Sequence, residues 1–206
     1  HTMSATYEIQ YGHVTRPTNH NTSWDEAKFE VYGHKWVDLS DSGYGISLLN
    51  DCKYGFSTEG STLSLTILKC GTDPNPDADQ GKHIFTYSLM PHIGDFREAG
   101  VIQESYSLNQ PLSFVELSAH DGTLPAEFSL VSDNAENVII ETVKKAEADD
   151  GMIVRMYDAF DKRADVTVTV ADGFKKAYLC DLLENVVSEL EFDGKQVTVP
   201  VSNFEI

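Results

Sequence analysis

The run Val166-Thr-Val-Thr-Val170 alternates without interruption, and a chain has one stable use for such a run. As a strand it sets its three valines on one face and its two threonines on the other, so one side is buried and one is wet. The same texture holds for everything after Pro125. β-Branched and aromatic runs recur at 128–131, 138–143, 152–157, 164–170, 175–179, 188–192 and 196–201. Turn-forming residues separate them at Asp149-Asp150-Gly151, Ala171-Asp172-Gly173 and Asp193-Gly194-Lys195, the last being a strong hairpin signal. Short strands at this spacing predict a small antiparallel sandwich of immunoglobulin-like shape over residues 118–206.

The first half is also strand-rich, but its connections are longer. Ala5–Tyr11 reads as a strand, and Gly12–Trp24, polar and holding Pro17, as a long connection. Phe29–Asp38 is an extended run, Leu39–Gly45 a turn-rich patch, and Ile46–Leu49 a second strand leading into Asn50–Lys53 and then Tyr54-Gly55-Phe56. Thr62–Cys70 alternates, Gly71–Gln80 is a loop, and His83–Pro91 reads as a central strand with Phe85 and Tyr87 in the core. A single helix is predicted at Asp95–Asn109, with Asp95 as N-cap, Glu98 completing a capping box and Pro111 beyond its end. Pro111–Pro125 marks a boundary and includes a short strand at Phe114–Leu117. The expected fold is all-β: a sandwich portion over 4–115, the small sandwich over 118–206, and one helix between them.

Charge narrows the partners. The chain carries 33 acidic against 15 basic residues, a formal −18, which repels nucleic acid and offers anionic membranes no polybasic segment. Cys52, Cys70 and Cys180 are too few and too scattered for a disulfide scaffold or a zinc ribbon. They suit a reducing, cytoplasmic setting, where the sequon Asn21-Thr22-Ser23 stays unused. His1-Thr2-Met3 reads as a vector remnant. Tyr7, Ile9 and Tyr11 already alternate just behind it, so the expectation is an excised C-terminal piece whose missing strands leave edges open to self-association.

The stretch Phe29–Phe56 holds the densest cluster of aromatic and hydrogen-bonding side chains, including His34, Trp36, Asp38, Tyr44, Asn50, Asp51 and Tyr54. Flat apolar faces beside paired polar groups match a pyranose, which has an apolar face and a rim of hydroxyls. Its core, Gly33-His-Lys-Trp-Val-Asp-Leu-Ser-Asp-Ser-Gly-Tyr-Gly45 continuing to Phe56, resembles the C-terminal region of glycoside hydrolase family 38, the α-mannosidases, in the cytosolic and vacuolar branch. Arg16-Pro-Thr-Asn-His-Asn-Thr-Ser-Trp24, Ala27-Lys-Phe-Glu30, Ala78–His92, Val143–Glu147 and Gly151–Arg155 are similar to the same family, in order.

That resemblance implies a mutarotase-like β-sandwich, part of a larger supersandwich, followed by the small sandwich. It implies a parent enzyme that hydrolyses terminal α-mannosides with retention, using zinc held in a preceding catalytic barrel. This chain would then have no catalytic residue, metal or cofactor of its own. Its partners would be the barrel of the same chain and an α-mannoside oligosaccharide, with a homo-oligomer as a further possibility. Tyr44 is the first candidate for the active-site rim, then Asp38 and Trp36, with Asn50 and Asp51 beside them and Arg16 as a hydroxyl or carboxylate partner.

Each candidate has a plainer reading. Trp36 fits a core, Asp38 a turn cap, and Asn50 with Asp51 the braces of a hairpin. Carboxylate pairs such as Asp38/Asp41 arise by chance in so acidic a chain. Asp73-x-Asn75-x-Asp77-x-Asp79 has calcium-loop spacing but lacks the turn glycine and the closing glutamate, and the histidines form no ligand pair. Two other functions compete with the rim role: a stand-alone carbohydrate-binding sandwich, and an epimerase needing a facing His and Glu.

Overall fold

The computed structural model describes residues 3–206, so His1 and Thr2 of the supposed vector remnant lie outside the described residues. The chain divides into one unit that ends at Val115 and a second spanning Glu116–Ile206.

In the first unit β1 (Ser4–Ile9) and β2 (Gly12–Pro17) form a hairpin. A short helix, α1 (Ser23–Ala27), and a two-residue strand, β3 (Val31–Tyr32), lead to β4 (Trp36–Ser40) and β5 (Tyr44–Asn50). Then come β6 (Gly55–Glu59), β7 (Thr62–Thr66), β8 (Tyr87–Ile93) and α2 (Val101–Asn109). All strands pair antiparallel, in a five-stranded sheet ordered β2-β1-β4-β5-β8 and a three-stranded sheet ordered β3-β6-β7. Ala5, Tyr7, Val37, Leu39 and Leu48 of the large sheet bury against Phe56, Leu63 and Leu65 of the small one. Each large apolar side chain sealed in this way stabilises by about 1.5–3 kcal/mol.

Several expectations change here. The polar connection begins with β2, whose Val14 and Thr15 pair with Tyr7 and Thr6; Pro17 is tolerated because β2 is an edge strand. The single run Phe29–Asp38 splits at Gly33 because the chain changes sheets there. A Cβ on Gly33 would lie 3.1 Å from the Phe56 ring and 3.2 Å from Val37, so only glycine passes easily between the layers. Gly55-Phe56, given no element of its own from the sequence, starts β6 and supplies the core ring.

The strand expected to be central is the edge strand β8. Its Tyr87 is 55% exposed and Phe85 is only partly buried, so neither ring sits in the core. The helix is interrupted: Asp95 and Glu98 form the expected reciprocal cap, but Gly100 adopts φ 68° and α2 restarts at Val101. α1 was not anticipated either; it is held by a capping box between Thr22 and Asp25. Phe114–Leu117 forms no strand, and Phe114 is 93% exposed.

In the second unit β9 (Val131–Asp133), β12 (Ala164–Val170) and β15 (Gln196–Val201) form a sheet ordered β15-β12-β9. β10 (Val138–Lys145) pairs with β11 (Met152–Asp158), and β13 (Ala177–Cys180) with β14 (Val186–Leu190). The alternating valines behave as their period requires: Val166, Val168 and Val170 face Val197, Val199 and Val201 of β15 in one core. Asp158, fully buried, accepts from Asn137 Nδ2 (2.7 Å) and from the backbone N–H groups of Phe160, Lys162 and Phe204 (3.2, 2.9 and 3.0 Å). That carboxylate ties the end of β11 to the chain's last turn.

Candidate functional site

β4 and β5 are joined by the turn at Asp41–Gly43, with Ser40 opposite Gly45 across the pair. Asp41 Oδ1 accepts from the N–H groups of Gly43 (2.7 Å) and Tyr44 (3.0 Å). Those two donors hold the Asp41 carboxyl below its ordinary range. The turn is thereby shaped by its own aspartate, and it presents Tyr44 with 59% of its surface in solvent.

Beneath the turn lies a sealed polar knot. Asp38 Oδ1 accepts from Ser47 Oγ (2.6 Å) and faces His92 Nε2 at 2.8 Å, while Ser40 Oγ donates to Oδ2. His92 Nδ1 lies 3.2 Å from the carbonyl of Gly94. The ring lies over Gly45, where a Cβ would stand 2.5 Å from Cε1. Ser, His and Asp thus meet, but not as a nucleophilic triad. That chemistry needs Ser on one ring nitrogen and Asp on the other. Here both crowd Nε2, Ser47 Oγ at 3.1 Å, and all three side chains are buried. The knot is a lock joining β4, β5 and β8.

Asn50 is similarly inward. Its amide donates to the His34 carbonyl (2.9 Å), and its Oδ1 accepts from the N–H groups of Cys52 and Lys53 (3.1 and 2.5 Å). Asp51 accepts from Thr86 N–H at 2.9 Å. Hydrogen bonds from the Cys52 side chain and from the Thr86 backbone hold its carboxyl low. Trp36 is 1% exposed and stacks on Phe96 with ring centroids 4.9 Å apart. In this unit Trp36, Asp38 and Asn50 therefore take core and brace positions, and Asp51 braces a loop.

Arg16, on β2, lies elsewhere. Its guanidinium sits 4.5 Å from the Tyr7 ring centroid and 4.9 Å from that of Tyr32, and it donates to the Tyr32 carbonyl at 3.0 Å. Three strand spacings separate β2 from β5 in the large sheet, about 14 Å, so Arg16 and Tyr44 do not share one pocket. Tyr32 and Tyr54, both more than half exposed, flank His34 at 6.2 and 5.4 Å between centroids. This open aromatic group is the feature of the Phe29–Phe56 stretch best shaped for a sugar face. Sequence reasoning passed over His92, Ser40 and Ser47, because nothing local to them signals a meeting with Asp38. Among the described residues no three His, Cys, Asp or Glu side chains converge as metal ligands.

Two sequence profiles match this chain: the "Glycosyl hydrolases family 38 C-terminal domain" over residues 1–77 and the "Glycosyl hydrolases family 38 C-terminal beta sandwich domain" over residues 137–206. The chain belongs to glycosyl hydrolase family 38. Among its relatives, the Alpha-mannosidase 2C1 of Homo sapiens is 49% identical over 183 residues, covering 87% of this chain and 17% of its own length. The Alpha-mannosidase G of Dictyostelium discoideum is 41% identical over 207 residues, covering 98% of this chain and 19% of its own length. The chain thus spans less than a fifth of those two relatives. An alpha-mannosidase from Enterococcus faecalis V583 superposes on 99% of this chain with a TM-score of 0.81 at 20% identity, 24% of that chain being used. At that identity the likeness speaks for the fold alone.

Proposed function

We propose that this chain is the non-catalytic β region of a retaining, zinc-dependent α-mannosidase that removes terminal α-mannosides in the cytoplasm. It braces the catalytic barrel and presents Tyr44 at the margin of the active site. The observation that carries this reading is the pairing of near-complete coverage of this chain with small coverage of the relatives, which are named alpha-mannosidases. Zinc, the nucleophile and the acid/base belong to the remainder of such a protein. The residues here do not fit the metal, since no ligand cluster forms among those described.

In this reading each residue works through position. The Asp38–His92 knot and the Asp41 turn set the height and direction of Tyr44, whose ring and hydroxyl meet the substrate. Arg16 is offered to a carboxylate or hydroxyl on the other margin of the sheet. The open edge at β8 is the route to a homo-oligomer. The open aromatic group around His34 favours a second reading, a stand-alone carbohydrate-binding sandwich.

The test is hydrolysis of an aryl α-mannoside by the purified chain, with and without added zinc, alongside calorimetric titration with mannose. The expected result is no turnover in either condition and no mannose binding. Zinc-dependent turnover would sink the non-catalytic assignment, and binding lost on Tyr54→Ala would move the conclusion to the stand-alone module.

A further inference from the structure

We propose that the cleft beside Arg16 is an oxyanion site whose fitting ligand is a carboxylate, and this holds whether or not the parent protein cleaves mannosides. The cleft measures about 280 Å³, and its wall includes Tyr7, Arg16, His20, Asp25, Lys28 and Thr58. Two basic residues and a histidine line it, against one carboxylate, in a chain that has 33 acidic and 15 basic residues. Neither Arg16 nor Lys28 forms an ion pair among the described residues, whereas Lys35, Arg97 and Lys144 do.

The guanidinium is held ready. Its carbon lies against the rings of Tyr7 and Tyr32, and one N–H is spent on the Tyr32 carbonyl. A guanidinium carries five N–H donors in a rigid fork, so several remain for a planar two-oxygen partner. One oxygen of the carboxylate in the wall is already engaged. Asp25 Oδ2 accepts from Thr22 Oγ (2.8 Å) and from the N–H groups of Thr22 and Asn21 (3.0 and 3.3 Å), as the cap of α1. Its Oδ2 is turned to its own helix, and it forms no ion pair with Arg16. A sugar hydroxyl would satisfy one N–H but not the charge, which is why a carboxylate is the better occupant.

The occupant is either a free solute or a side chain of polypeptide packed on this face, and affinity separates the two. Isotope-labelled chain is titrated with acetate and with inorganic phosphate at constant ionic strength, chloride balancing, and followed by NMR at the Arg16 side chain and the Thr15, Lys28 and Thr58 amides. Saturable shifts confined to these positions are expected, acetate included. Half-saturation near about 1 mM marks a free solute as sufficient; saturation at about tens of millimolar marks a group presented at high effective concentration by polypeptide. Arg16→Lys keeps the charge but loses the fork and is expected to weaken binding about tenfold. Lys28→Ala, at an exposed position away from the stack, is expected to weaken it by a smaller factor while leaving the fold intact. Shifts that never saturate, spread over the other basic residues, or persist unchanged in both variants would overturn the site.

Discussion

At the scale of single residues, the most consequential group is one whose neighbours come from distant positions. Asp38 sits buried, with His92, Ser47 and Ser40 as its side-chain partners among the described residues. Removing one member of a buried charged, hydrogen-bonded set strands the others in a medium that cannot solvate them. Asp38→Ala is therefore expected to destabilise the first unit by about 3–5 kcal/mol. Both tryptophans, Trp24 and Trp36, belong to that unit, so urea unfolding followed by tryptophan emission reads it directly. A loss under about 1 kcal/mol would mean the knot is solvated and is no lock. Asp38 supports the turn from beneath and through β8, by way of His92.

At the scale of elements, the β12–β15 pair shows how far a pattern can be trusted. Both strands have the bounds that their alternation predicts, and Val166 is fully buried at the centre of the valine core. Val166→Ala is expected to destabilise the second unit by about 2 kcal/mol, from lost methyl burial and the cavity left behind. Hydrogen exchange at the β12 and β15 amides checks it, and unchanged protection would show that the core refills the space. β2 and β6 carry weaker signals. Their polar and glycine-containing sequences become strands because partners across the sheets, Tyr7 for Val14 and Leu65 for Phe56, reward the extended form. α2 shows the opposite case: its cap residues are present as read, but a left-handed Gly100 moves the start of the regular helix to Val101.

At the scale of the whole molecule, the excess of carboxylates sets the response to pH. Asp41 and Asp51 in the first unit, and Asp181 and Asp193 in the second, are all held below the ordinary range. Side-chain donors lead at Asp51 and Asp181, from Cys52 and Asn185, and backbone donors lead at Asp41 and Asp193. A carboxyl depressed in the folded state contributes stability above its unfolded value, about 3.9 for Asp. That contribution is lost as pH falls through the depressed folded value. Stability is therefore expected to be level from pH 6 to about pH 4 and to decline below it. In the Asp41→Asn, Asp51→Asn double variant the urea midpoint of the first unit should fall less steeply over the acid range. An identical slope would exclude both groups from the acid response.

What the linear order of residues determined by itself was everything that depends on near neighbours. That covers the all-β class, the alternating strands of the second unit, the turn at Asp41, the capping pair Asp95 and Glu98, and the family. These follow from period, from side chains that bond their own backbone, and from motifs that lie in one stretch. The tertiary structure alone decided which polar groups are spent inside and which remain free to act. Trp36, Asp38, Tyr44 and Asn50 lie within one short stretch, yet pairing of β4, β5 and β8 turns three inward and leaves Tyr44 in solvent. Burial is set by what a strand meets across the sheet and across the core, and those partners, His92 for Asp38 and Phe96 for Trp36, lie too far along the chain for local spacing to reveal.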